Sequence, residues 1–97
     1  MGIIHTYCKT DYESYEDFYR NFDVTMPDDF NFAYDIVDRL AAEQPDKTAI
    51  VWCNDLGEEK IISFAELKRM SDKMANALVG LGIGKGDVVM AMLKGRY

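Results

Sequence analysis

The hydrophobic period of this chain changes at Thr48, and that change sets the order in which secondary structure can appear. Upstream, apolar side chains recur at steps of three and four. Downstream, Thr48-Ala49-Ile50-Val51-Trp52-Cys53 and Lys60-Ile61-Ile62-Ser63-Phe64 are apolar and β-branched runs flanking the turn material Asn54-Asp55-Leu56-Gly57-Glu58. Residues 48–64 therefore read as a β-hairpin. It leads straight into a helix. Ser63 followed by Glu66 forms a capping box, and Phe64, Leu67, Met70, Met74, Ala77, Leu78 and Leu81 recur at helical spacing until Gly82 supplies a stop. Beyond Gly82 to Asp87, Val88-Val89-Met90-Ala91-Met92-Leu93 is continuously apolar, the pattern of a strand buried on both faces of a sheet.

The upstream half reads as two short helices. Around Asp11 to Phe22, the aromatics Tyr12, Tyr15, Phe18, Tyr19 and Phe22 share a face, and either Thr10 with Glu13 or Ser14 with Asp17 can form a capping box. So dense an aromatic stripe is expected to be packing surface; a base-stacking platform would also need basic neighbours. A connection through Pro27 leads to a helix from about Asn31, with Phe32, Ile36, Val37 and Leu40 facing inward and a stop before Pro45. The expectation is a single α+β unit over residues 1–97, with an acidic helical segment (1–47) and a hairpin-helix-strand segment (48–97).

Charge narrows the functions open to such a unit. The 97 residues carry 17 acids and 11 bases, a formal net charge of −6. Residues 1–47 hold 11 of the acids and 4 of the bases, whereas residues 48–97 hold 6 and 7. Clustered Lys and Arg for phosphate contacts or anionic lipid are missing, so neither nucleic acid nor a membrane surface is an expected partner. No apolar run approaches the roughly 20 residues that span a bilayer, and the start lacks a secretory pattern. Met1-Gly2 with Thr6 fits only the loose N-acylation pattern, with no polybasic second anchor. Cys8 and Cys53 are too few for a disulfide framework and too far apart for metal-ligand spacing, which favours a reduced, cytoplasmic setting. His5 has no second histidine with which to build a metal site.

Several constellations invite a chemical interpretation and fail on spacing or order. Gly82-Ile83-Gly84-Lys85-Gly86 looks like a phosphate loop, but a Walker loop needs Gly where Val79 stands and a hydroxyl where Gly86 stands. Its glycines also follow a helix and precede a strand, so they meet the negative end of a helix dipole. Asp28, Asp29, Asp35 and Asp38 lack the spacing of a Ca²⁺ loop. Ser14, Ser63 and Ser71 lack the Asp-Ser-Leu context of an acyl carrier, and neither cysteine has a histidine partner for a nucleophilic dyad. The residues alone nominate no catalytic, cofactor-binding or metal-ligating position.

Four segments in order carry a family resemblance: Phe30-Asn31-Phe32-Ala33-Tyr34-Asp35-Ile36-Val37-Asp38-Arg39-Leu40, Pro45-Asp46-Lys47-Thr48-Ala49-Ile50-Val51-Trp52, Ile62-Ser63-Phe64-Ala65-Glu66-Leu67, and Leu81-Gly82-Ile83-Gly84-Lys85-Gly86-Asp87-Val88-Val89. Together they resemble the N-terminal region of AMP-forming acyl-CoA synthetases, closest in style to the acetyl- and medium-chain branch of the adenylate-forming, AMP-binding superfamily. The resemblance implies an α+β portion of a larger α/β domain. It also implies a parent enzyme of fatty acid metabolism that uses ATP, Mg²⁺ and coenzyme A to convert a carboxylic acid to acyl-AMP and then acyl-CoA. The family's phosphate loop, adenine and ribose contacts and catalytic lysine have no counterpart within these residues, so Lys85 and Lys94 inherit no role. The chain is accordingly expected to be an inactive scaffold cut from a longer protein, or the product of a truncated reading frame. Its partner would be the remainder of the parent enzyme, or a second copy met through Val88 to Leu93. The alternative is a free-standing interaction module whose aromatic helix binds another protein.

Overall fold

The computed structural model of the chain describes residues 2–96; Met1, where the acylation pattern begins, and Tyr97 lie outside them. The chain divides into two compact units, residues 1–31 and residues 32–97.

In the first unit a 3₁₀ turn over Ile3–Thr6 precedes helix α1, Tyr15–Asn21. Of the two candidate caps, Ser14 is the one used: its backbone is extended and its Oγ accepts the Asp17 N–H at 3.1 Å. Asp17 reaches back in turn, Oδ2 accepting the Glu13 N–H at 3.1 Å. After α1 the chain doubles back, with the Thr25 N–H donating to the Tyr7 carbonyl (2.8 Å) and the Tyr7 and Phe30 rings meeting edge-on at 5.3 Å. The aromatic stripe does not pack as a buried face. Tyr12, Phe18 and Phe22 form one ladder with centroid spacings of 5.2 and 5.0 Å, whereas Tyr15 and Tyr19 stack on each other and remain 71% and 76% exposed. Two turns of helix are too short to bury five rings on one side, so the rings contact one another and stay largely exposed.

The second unit opens with a π-helical stretch, Ala33–Asp38, that runs directly into helix α2, Arg39–Glu43. The wider π turn shifts the apolar phase. Val37 and Leu40 are buried as expected and Ala41 joins them, while Phe32, also expected to face inward, is exposed. Strands β1 (Thr48–Cys53) and β2 (Glu59–Ser63) form the expected antiparallel hairpin, pairing Ile50 with Ile62, Val51 with Ile61, Trp52 with Lys60 and Cys53 with Glu59. Ala49 is an extra residue in β1 between the pairs Thr48–Ser63 and Ile50–Ile62, a bulge that the apolar pattern gives no sign of. Asn54 organises the turn, its Oδ1 accepting the N–H groups of Leu56 and Glu58 at 3.0 Å each, and Gly57 takes the positive φ of +79°.

Helix α3, Phe64–Gly80, begins as expected, with Ser63 Oγ accepting the Glu66 N–H at 3.2 Å. It packs across the π-helical stretch, α2 and the hairpin. The core of this unit is Val37, Leu40, Ala41 and Ile62, the last only 2% exposed. From α3, Phe64, Leu67, Ser71 and Leu78 turn partly inward. Met70, Met74, Ala77 and Leu81, expected inside, form an exposed apolar row instead. The fold is thus α+β with a two-stranded antiparallel sheet. The third strand expected over Val88–Leu93 does not form: the segment is irregular and its large side chains are 56% to 94% exposed. Among the described residues the sheet consists of β1 and β2, and residues 88–93 pair with neither.

Candidate functional site

The segment from Gly82 to Asp87 is where the sequence most invites chemistry, and its geometry is that of a helix stop followed by a turn. Gly82 takes φ +79°; its N–H donates to Val79 O at 2.9 Å and the next, Ile83 N–H, to Leu78 O at 3.1 Å. These are the two bonds of a Schellman motif, closed by the half-buried pair Leu78 and Ile83. A β-turn follows, with the Asp87 N–H donating to Gly84 O (3.1 Å) and Gly86 at φ +93°. The Gly84 N–H, the amide an anion would seek, donates to Asp87 Oδ2 at 2.7 Å. A carboxylate thus occupies the place of a phosphate, beside the negative end of α3. Lys85 is exposed at the tip of this turn, and Lys94 is exposed in the irregular segment beyond it. The geometry does not fit a nucleotide phosphate.

The remaining candidates are dispersed. His5 Nδ1 lies 3.2 Å from Thr10 Oγ1 at the surface. Both cysteines are free: Cys8 Sγ donates to Ile4 O at 3.6 Å, and Cys53 is exposed at the end of β1. Asp28 and Asp29 occupy a turn closed by Phe30 N–H to Pro27 O (3.1 Å), and Asp38 pairs with Lys68 Nζ at 3.6 Å. Among the described residues no group of three or more His, Cys, Asp or Glu side chains could hold a metal ion. No helix among them is long and apolar enough to cross a membrane.

One polar cluster escaped the sequence reading. Asp17 accepts from Asn21 Nδ2 at 2.6 Å as well as from Glu13, and Lys9 Nζ stands 3.9 Å from it and 4.9 Å from the Tyr12 ring centroid. The hydrogen bond from Asn21, then that from Glu13, hold the Asp17 carboxyl below its ordinary pKa, with Lys9 adding attraction against partial desolvation. Desolvation, then the charges of Cys8, Asp17 and Asp23, push the Tyr12 phenol above its ordinary value. Lys9 lies outside the helix, so helical spacing could not have linked it to Asp17.

Among the described residues, two of the concavities lie in the second unit. Glu66, Arg69, Met70, Lys73, Met74 and Ala77 line one of about 460 Å³. All six belong to α3, so this groove has a single wall and cannot enclose a small molecule. The other lies beside Trp52, Glu58, Glu59, Lys60 and Arg96, where the indole Nε1 donates to Gly95 O at 3.0 Å. Its charges are of both signs and nominate no ligand.

Comparison with known proteins supplies what this geometry does not. Residues 37–97 match the family described as AMP-binding enzyme. An acetyl-coenzyme A synthetase of Thiobacillus denitrificans is 37% identical over 81 residues, 84% of this chain and 12% of that protein. An acetyl-coenzyme A synthetase of Cronobacter sakazakii is 47% identical over 60 residues, 61% of this chain and 9% of its own length. A 3-hydroxypropionyl-coenzyme A synthetase of Metallosphaera sedula is 42% identical over 60 residues, again 61% of this chain and 9% of that protein. The chain therefore spans 9% to 12% of the length of these curated relatives. With 61 of its 97 residues inside the family match, the chain belongs to the AMP-binding enzyme family and is related to its acyl-CoA synthetases.

Proposed function

We propose that the chain is a non-catalytic, N-terminal scaffolding stretch of a cytoplasmic AMP-forming acyl-CoA synthetase. The parent enzyme would activate a carboxylic acid with ATP to acyl-AMP and pass the acyl group to coenzyme A. The observation carrying this proposal is the 37% identity to an acetyl-coenzyme A synthetase across 84% of the chain. The polar geometry agrees with a structural role. Ser63, Asn54 and Asp87 are engaged in a helix cap and two turns. At the glycine segment the Asp87 carboxylate already takes the Gly84 N–H, so that turn offers no cradle for an ATP phosphate.

The test has two arms. Mixed with ATP, Mg²⁺ and acetate, the chain alone is expected to release no pyrophosphate; turnover would overturn the scaffold assignment. Substituted for the matching stretch of the Cronobacter sakazakii enzyme, it is expected to preserve acyl-CoA formation, and a folded but inactive chimera would count against the parentage. A second possibility, an interaction module, is favoured by the exposed stacked pair Tyr15 and Tyr19. It would be preferred if Y15A/Y19A abolished capture of a defined protein partner while the chimera remained active.

A further inference from the structure

We draw no further inference here: the strongest candidate, the apolar groove along α3 lined by Met70, Met74 and Ala77 beside the charged Glu66, Arg69 and Lys73, carries none, because its only wall is a single helix and nothing in the structure shows what covers it.

Discussion

Lys68 Nζ donates to Asp72 Oδ2 at 2.8 Å, one turn along α3, and also stands 3.6 Å from Asp38 Oδ1 at the end of the π-helical stretch. One ammonium thus ties α3 to the segment that supplies Val37 to the core. The hydrogen bond to Asp72 is the main reason the Lys68 pKa is raised; desolvation opposes it and Asp38 adds to it. The sign follows. A raised folded pKa contributes stability that is fully present below the ordinary lysine value of about 10.4 and is lost as pH rises through the folded value. Urea midpoints of the wild type are expected to fall more steeply than those of K68M above that pH, the two curves running parallel near neutrality. Because the pair is part-exposed, the difference is expected to shrink in high salt.

The hairpin gives a sharper contrast. Ile62 is 2% exposed, whereas its neighbour Ile61 points to the open side of the sheet at 58%. Ile62→Ala is expected to cost about 2–3 kcal/mol, the lower part of the usual range because so small a core can collapse around the gap. Ile61→Ala is expected to stay within about 0.5 kcal/mol of the wild type. Denaturant titration followed by circular dichroism reads both, and comparable losses would mean that the two faces of the hairpin are not as distinct as the register makes them.

What the sequence made legible follows the same division between near and far neighbours. The Ser63 cap, the Asn54 turn and the Gly82 stop are each decided by atoms within about five residues, and each appears where the residues place it. Burial is decided by what else is present. Met74, Leu81 and Val88 obey the patterns of buried elements yet lie in water, since none of the described residues covers them. The π turn at Ala33–Asp38 and the bulge at Ala49 also escaped, since neither leaves a mark in the apolar pattern of its segment. At the glycine segment, order along the chain was enough to argue against a phosphate loop, while the Asp87 carboxylate under the Gly84 amide needed coordinates.

Asp17 is expected to make the first unit sensitive to acid. Its carboxyl is held below the ordinary value chiefly by the hydrogen bond from Asn21. A lowered folded pKa contributes stability that is present above the ordinary carboxylate value of about 3.9 and lost as pH falls through the folded value. The helical signal of α1 is expected to persist at pH 5 and to fade as Asp17 titrates, and carbon-13 shifts of the Asp17 carboxyl are expected to follow the same midpoint. In D17N that acid transition is expected to disappear. An acid transition that persists unchanged in D17N would show that the Asp17 hydrogen bonds are not its source.

Gly82 and Gly84 lie two residues apart and separate backbone need from available space. A Cβ at either position would meet nothing within 4 Å, so sterics with neighbours do not distinguish them. Conformation does: Gly82 sits at φ +79°, where an L side chain is strained, while Gly84 has no positive φ. Gly82→Ala is expected to cost roughly 1–2 kcal/mol and to fray the last turn of α3 by weakening the bonds to Leu78 O and Val79 O. Gly84→Ala is expected to be neutral or to stabilise by up to about 1 kcal/mol, because it narrows the unfolded ensemble without straining the folded one. Urea titration distinguishes them, with an unchanged slope confirming that the midpoint reports stability. Equal costs at the two glycines would show that the segment depends on glycine for a reason other than the helix stop, and anion contact would then return as a candidate.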